Sequence, residues 1–478
     1  MSVRQFLNLN NIVTLIKNNG MKKQIIGMMC ATAVLSSCNI YKTYERPKVD
    51  VAGMYRDTVS LKDTLSSDTT NMGNLPWKEV FKDPKLQALI EKGLSSNLDL
   101  QTAMLKVEEV QSTLNAARLA FLPSLSLSPQ GTISSFDGKA ATKTYQLPVT
   151  ASWELDIFGN ILNAKREAKA TLLQSEAYRQ AVQTQVIANV ANCYYTLLML
   201  DRQLAITEET AKNWGENVKA MKIMKQAGLT NEAAVSQSEA NYYTVNASIP
   251  DLKKQIRETE NTLSLLLGQA PQQIERGTLA EQQMPEHLSA GIPVQMLSNR
   301  PDVKQAEMAL AGSYYYTNQA RSAFYPKITI NGSAGWTNSA GGAIINPAKF
   351  IASAVGSLTQ PIFDRGANVA KLKIAKAQQE EALLAFQKSI LNAGTEVSNA
   401  LYQFQSSNEK CVQRKQQIQS LESSVDKTMQ LMKYQSSTYL EVLTAKQSLL
   451  SAQLSDVKDS FERIQAVINL YQALGGGR

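Results

Sequence analysis

Hydrophobic and polar positions alternate with two different periods along this chain, and the change of period happens twice. From Tyr145 to Ile157 (YQLPVTASWELDI) every second residue is apolar and most of the others are polar. That is the period of a β-strand with one greasy face. SLSLS at 124–128 and ITINGSAGW at 328–336 alternate in the same way, and 350–359 does so more weakly. Elsewhere the pattern is helical. Residues 160–226 carry Gly159 at their entry and Gly215 within, and 367–434 are interrupted only by Gly394. Each run predicts a helix roughly 100 Å long at about 1.5 Å per residue. Returning helices are expected over 231–267 and 438–473. Further helical runs over 83–121 and 294–324 stop at Pro123 and Pro326, because proline disfavours helix in the residue before it. A return helix of roughly 55 Å and a following run of roughly 45 Å would together match one long helix.

The same order of elements occurs twice because the sequence is duplicated. Ala117, Arg118, Ala120, Phe121 and Pro123 match Ala320, Arg321, Ala323, Phe324 and Pro326. Further along, Ile157 and Phe158 match Ile362 and Phe363, VANCYY (190–195) matches VSNALY (397–402), and GLTNEAAVSQSEA (228–240) matches QSSTYLEVLTAKQ (435–447). A unit of about two hundred residues, repeated once, points to a tandem architecture with pseudo-twofold equivalence rather than a short-repeat solenoid. The domain organisation that follows is a signal peptide (1–37), an extended N-terminal segment (38–80), repeat one (81–270, hairpin 123–157), a linker (271–293), repeat two (294–474, hairpin 326–363) and a tail (475–478). The tail, GGGR, is expected to be flexible.

Charge and cysteine content refine this picture at the N-terminus. Residues 1–37 hold Arg4, Lys17, Lys22 and Lys23 and no acid, so only +4 of the formal +8 belongs to the remainder. No cluster of basic and aromatic residues suggests nucleic-acid binding. Met21-Lys22-Lys23, the apolar run QIIGMMCATAVL and then LSSC read as a secretory leader, with translation expected to start at Met21. That run is too short to span a bilayer. LSSC resembles a bacterial lipobox, which makes Cys38 the lipidation site, with an ordinary signal peptide and a chance cysteine as the alternative. Cys193 and Cys411 then remain in helical patterns and could form one bridge, with no disulfide framework in view.

Enzyme chemistry finds no foothold in these residues. His287 is the one histidine and stands in a polar linker, and no metal-ligand spacing, phosphate-binding loop or nucleophile elbow occurs. No cofactor or metal is expected. Membrane insertion beyond the leader must instead be by strands. Four strands cannot close a barrel, and an open strand edge in lipid is prohibitively costly. Several chains must therefore share a barrel, with twelve strands from three chains the attractive number.

At LSSC, LPWKEVFKDPKLQALIEKGLSSNLDL (75–100), WELDIFGN (153–160), SNRPDVKQAE (298–307) and TYLEVLTAKQSLLSAQ (438–453), the chain resembles the TolC-like outer-membrane factors, in their lipid-anchored branch. The resemblance runs from about Trp77 to Leu474. It implies an α+β membrane protein: a transmembrane β-barrel shared between three protomers and continuous with a long α-helical periplasmic barrel. It further implies a passive exit duct for small molecules, partnered by a periplasmic adaptor and an inner-membrane RND-type transporter, with outer-membrane lipid around the barrel. A type I secretion channel and a lipid-anchored periplasmic coiled-coil scaffold are the alternatives.

The resemblance also places candidate site residues. The periplasmic tip and adaptor contact fall at Gly228, Leu229 and Thr230 and at Gln435, Ser436, Ser437, Thr438 and Tyr439. Gln435 stands where the family usually has glycine. Glu441 matches a lumen-facing carboxylate whose three copies would form an acidic ring, against the plainer reading of a solvated helix carboxylate; one turn on, Thr444 stands where the family often has a second acid. Trp153, Glu154, Asp156, Phe158 and Phe363 mark the barrel strand and its corner. Glu154 and Asp156 are read either as lumen lining or as a cap on the strand-to-helix corner.

Overall fold

The computed structural model describes residues 41–48, 72–135, 137–138, 140–283, 299–338, 349–434 and 438–477. Cys38, His287, the leader and Gln435, Ser436 and Ser437 lie outside the described residues. After a 3-10 turn at Met72–Asn74 come α1 (Trp77–Val80), α2 (Pro84–Ser96) and α3 (Leu98–Leu119). Strands β1 (Ser124–Leu127), β2 (Gln130–Ser134) and β3 (Thr142–Leu155) follow, then α4 (Asn160–Gln226) and α5 (Glu232–Leu266). A second 3-10 turn at Leu279–Glu281 precedes α6 (Pro301–Ser322), β4 (Lys327–Asn338), β5 (Lys349–Thr359), α7 (Ala367–Lys433) and α8 (Tyr439–Ala473). The two long helices have 67 residues each.

The helical run expected over 83–121 is broken at Asn97. That residue is buried, its backbone N–H closes α2 on the Gly93 carbonyl, and its side-chain oxygen accepts from Leu100 N–H at 3.0 Å to cap α3. Its amide nitrogen donates to the Leu266 carbonyl at 2.9 Å, so one asparagine serves three backbones. A run with continuous helical periodicity conceals such a break because Asn is also tolerated inside helices. The strand expected from Tyr145 to Ile157 begins earlier and ends at Leu155.

Contacts divide the chain into two compact units. One comprises the described parts of Lys48–Glu108, Gln174–Ala306 and Ala385–Arg478 and is helical. Its core holds Phe81, Leu86, Ile90, Leu100, Ile187, Tyr194, Tyr195, Leu198 and Tyr471, all fully buried. Phe81 meets Tyr471 edge-on at 5.9 Å, as does Tyr194 with Tyr195 at 5.6 Å. Tyr194 Oη donates to Asp83 at 2.5 Å. Burial works against charge on Asp83, but hydrogen bonds from Tyr194, Gln282 and the backbone of Lys85 and Leu86 outweigh it and hold the carboxyl below its ordinary range. The first part of the 271–293 linker is fixed by Arg276, whose guanidinium grips Asp201 at 2.6 Å and Glu260 at 2.5 Å.

The glycine tail is packed, which corrects the expectation of flexibility. Gly475, Gly476 and Gly477 are buried, the Gly476 and Gly477 carbonyls accept from Thr184 and Gln183 at 2.8 Å, and Gly477 N–H donates to Tyr471 Oη at 2.9 Å. A Cβ on Gly476 would stand 2.4 Å from the Tyr471 ring. These glycines are needed for close approach, a use that composition alone cannot separate from a loose end.

The other unit comprises the described parts of Met1–Pro47, Glu109–Leu173 and Glu307–Leu384 and contains the sheet. Its strands are antiparallel in the order β1-β3-β4-β5, with β2 also on β3. Across this unit the segment after the predicted lipidation site is tied down: Arg46 holds Glu307 through two hydrogen bonds of 2.7 and 2.6 Å, and Tyr314 Oη donates to the Lys42 carbonyl at 3.1 Å.

Candidate functional site

The sheet is four strands wide because β1 and β2 share one line. Ser124 pairs with Ser152 and Gln130 with Gln146, so both segments keep a single register on β3 and are interrupted only at Ser128 and Pro129. Neighbouring strands in register present the same face. One face therefore carries Leu125, Leu127, Tyr145, Leu147, Val149, Ala151, Trp153, Ile328, Ile330, Trp336, Phe350 and Leu358. These side chains are uncovered in the single chain: Val149 is 45% exposed, Trp336 47% and Leu358 67%. A continuous apolar face of this kind needs a non-aqueous neighbour.

The opposite face is a hydroxyl ladder. Ser126 pairs with Thr150 at 2.7 Å, Ser152 donates to Asn331 at 2.7 Å, Thr329 meets Ser357 at 2.5 Å and Ser333 meets Ser353 at 2.7 Å. Aromatic residues stand toward both ends of the apolar face. Trp153 is at one end and its indole N–H donates to the Phe121 carbonyl at 2.9 Å, while Trp336 and Phe350 meet edge-on at 5.8 Å toward the other. From Leu155 to Tyr145 the strand rises roughly 33 Å at about 3.3 Å per residue, enough for a tilted strand across an apolar layer about 25 Å tall. No helix among the described residues is long and apolar enough to cross a membrane.

The corners of the sheet are pinned by two aspartates. Asp156 accepts from the N–H groups of Ile161 at 3.0 Å and Leu162 at 2.6 Å, at the start of α4. Carboxylates there satisfy orphan donors and oppose the positive end of the helix dipole. Asp364 does the same for α7, accepting from Asn368 N–H at 2.7 Å and Gly366 N–H at 3.2 Å. Sequence reasoning missed Asp364 because the two acids lie on opposite sides of their matched Ile-Phe pairs, so a residue-by-residue alignment of the repeats does not bring them together. Glu154 lies on the polar face opposite Thr329. Phe158 stacks on Tyr325 at 5.0 Å, whereas its counterpart Phe363 is 85% exposed.

The predicted tip residues that are described, Gly228, Leu229, Thr230, Thr438 and Tyr439, are in the helical unit. Gly228 has φ +73°, and its N–H and that of Leu229 donate to the Lys225 and Met224 carbonyls, which ends α4 in the left-handed cap glycine makes cheap. Ion pairs between Lys225 and Glu232 and between Lys222 and Glu239 then span the turn beyond Thr230. Tyr439 Oη donates to Ser238 Oγ and accepts from Asn217, both at 3.0 Å, tying α8 to α5 and α4. Burial pushes its phenol up from the ordinary range. Glu441 is exposed in the first turn of α8, its N–H donating to the Thr438 carbonyl, and Thr444 turns its hydroxyl back to the Leu440 carbonyl. Sequence reasoning gave no sign of the cavity of about 550 Å³ between α4, α7 and α8, lined among others by Trp214, Met429 and Lys446.

Comparison with known proteins gives a consistent result. The family model for outer membrane efflux proteins matches residues 89–269 and 292–476. The cation efflux system protein CusC of Escherichia coli K12 is 28% identical over 451 residues, covering 94% of this chain and 98% of that one. The toluene efflux pump outer membrane protein TtgC of Pseudomonas putida is 26% identical over 472 residues, covering 96% of each chain. A crystal structure of CusC superposes with a TM-score of 0.82 at 27% identity, covering 92% of this chain and all of that one. The matched family is one of efflux ducts and not of enzymes.

Proposed function

This chain belongs to the outer membrane efflux protein family and is an outer-membrane exit duct for efflux, and we propose that three copies close one channel through their sheets. The observation that supports this most is the sheet itself. Among the described residues it has one face that is apolar from Trp153 to Tyr145, one hydroxylated face and two edges, β1/β2 and β5, with no partner strand in the order β1-β3-β4-β5. In lipid each unpaired backbone group costs several kcal/mol, so edges must be joined. Four strands per chain and a twelve-stranded closed wall fit together with three copies. The hydroxyl ladder then lines water, and the apolar face meets acyl chains.

In this reading small molecules pass without chemical change, driven by an inner-membrane RND-type transporter through a periplasmic adaptor. The turn at Gly228, Leu229 and Thr230 and the segment from Gln435 to Tyr439 make up the periplasmic end that meets the adaptor. The two hydrogen bonds of Tyr439, to Ser238 and from Asn217, hold that end in register, and three Glu441 carboxylates face the passage, where like charge favours cations and resists closure. Cys38 carries the lipid, and the Arg46–Glu307 pair keeps the segment behind it against the sheet unit. The relatives are named for cation and toluene efflux, and the transported compound here is of the same broad kind, a small toxic solute.

Cells lacking their own exit ducts, given this chain with its adaptor and transporter, are expected to retain less of a fluorescent pump substrate than cells given the pump alone. Equal retention, with the chain present in the outer membrane, would overturn the efflux reading.

A further inference from the structure

The two free edges of the sheet carry enough information to say how one copy meets the next. We propose that β5 of one copy pairs antiparallel with β1 and β2 of its neighbour in one register, in which Thr359 faces Ser126, Leu358 faces Leu127 and Ser353 faces Thr132 of the neighbouring copy. This rests on the reading that three copies share one barrel and adds the register to it.

The register follows from the duplication. Each chain contributes two hairpins, β1/β2 with β3 and β4 with β5, and inside the chain they are joined along β3 and β4. Pro123 and Pro326 stand just before the first strand of each hairpin, and Phe158 and Phe363 just after the second. The junction between copies is the same junction made again, with β5 in the place of β3 and β1/β2 in the place of β4. Carrying the observed β3–β4 pairs across these equivalences turns Glu154↔Thr329 into Thr359↔Ser126, Trp153↔Ile330 into Leu358↔Leu127, and Pro148↔Gly335 into Ser353↔Thr132. Strand directions agree, since β1 and β5 run opposite ways in the sheet.

Two further features support the result. The first is that faces match: Leu358 meets Leu127 and Ala352 meets Ile133 on the apolar side, while Thr359 meets Ser126 and Ser353 meets Thr132 on the hydroxylated side. Any slip by an odd number of residues would mix them. The second is a corner contact left half made. Phe158 stacks on Tyr325 of the second repeat inside the chain. The equivalent pair across copies is Phe363 with Leu122, and these side chains are 85% and 61% exposed in the single chain.

The register also closes a barrel of ordinary shape. Within one sheet Ser126 is level with Thr150, Ser333 and Ser353. The neighbour's residue opposite Ser353 is Thr132, six positions beyond Ser126, so three copies displace the circuit by eighteen residues. Eighteen rises of about 3.3 Å set against twelve strand spacings of about 4.8 Å give a strand tilt of roughly 45°. That agrees with the tilt of membrane strands. A slip of two residues per copy would give roughly 54° one way, steeper than membrane barrels adopt, or roughly 35° the other, at their lower limit. The duplication decides between the last and the register proposed.

The test is disulfide trapping in membranes of cells expressing the full chain. Thr359→Cys with Ser126→Cys and Leu358→Cys with Leu127→Cys are neighbouring pairs, so one is the closer, non-hydrogen-bonded type that suits a disulfide. Ser357→Cys with Ser126→Cys reports a slip of two, and single-cysteine chains account for Cys193 and Cys411. The expected result is a shift of the non-reduced protein to two- and three-chain mass in at least one predicted pair and no shift in the slipped pair. Trapping in the slipped pair alone would overturn the register and leave the shared barrel standing. No trapping in any pair from a protein of three-chain native mass would also overturn the register. No trapping from a protein of one-chain native mass would remove the shared barrel as well.

Discussion

Val149→Arg is expected to remove the protein from the outer membrane, while Thr150→Arg, one residue away, leaves it there. Val149 lies on the apolar face between Leu127 and Ala334, near mid-height between Trp153 and Tyr145, and its side chain is 45% exposed. An arginine facing lipid at the midplane of a barrel costs about 2–4 kcal/mol per copy. Three copies would add the charge three times to one barrel, a cost comparable with the whole stability of an ordinary domain. Thr150 belongs to the hydroxyl ladder, bonded to Ser126, and an arginine there enters the side that faces water. Fractionated membranes and a non-denaturing gel check this pair of variants. The V149R chain should be lost or degraded, whereas T150R should assemble and pass cations less readily through its lumen. Equal tolerance of both would mean that the two faces are not lipid and water.

The second large effect is steric and lies at Gly335. A Cβ at this position would stand 2.2 Å from the Leu147 carbonyl oxygen and 2.6 Å from the Pro148 Cα, both backbone atoms that cannot step aside without opening the sheet. Gly335 is the residue paired with Pro148. Proline in a central strand lacks an N–H for the ladder and is normally excluded from it. A partner without a side chain lets the neighbouring strand approach closely at that point. Gly335→Ala is therefore expected to cost about 3 kcal/mol or more, in the range reserved for overpacking and broken backbone pairing. Gly332 is the control, since a Cβ there meets nothing nearer than the Ser353 carbonyl at 3.7 Å. The temperature at which the assembled protein falls apart in detergent should drop for G335A and hardly move for G332A. Similar behaviour of the two would show that strands β3 and β4 are not packed as described.

These two variants also show what was legible beforehand. The alternation around Val149 and Thr150 is plain in the sequence, because a half-exposed strand must repeat every two residues, and so are the 67-residue helices, whose interiors carry no proline. The duplication made both halves of the sheet visible even where 350–359 alone was weak. The need for Gly335 was hidden, because it depends on which residue stands opposite, and register between β3 and β4 is a long-range fact. The same limit hid Asn97, whose neighbour is the Leu266 carbonyl, and the tail glycines, whose neighbours are Tyr471 and Thr184. Strand β2 escaped because only Gly131 and Ile133 occupy its apolar side, too few to show a period. Among the candidate site residues, the Gly228 turn could be read from glycine's ease with positive φ. The hydrogen bonds of Tyr439 to Ser238 and Asn217 could not, since the three residues come from separate helices.

The claim on which the rest depends is that the sheet is one third of a wall. Native mass spectrometry of the full-length protein, extracted from membranes in detergent, measures this directly. The expected result is the mass of three chains, each cleaved before Cys38 and carrying lipid. The mass of a single chain would leave β1/β2 and β5 with open edges in the membrane, and the shared channel would have to be abandoned.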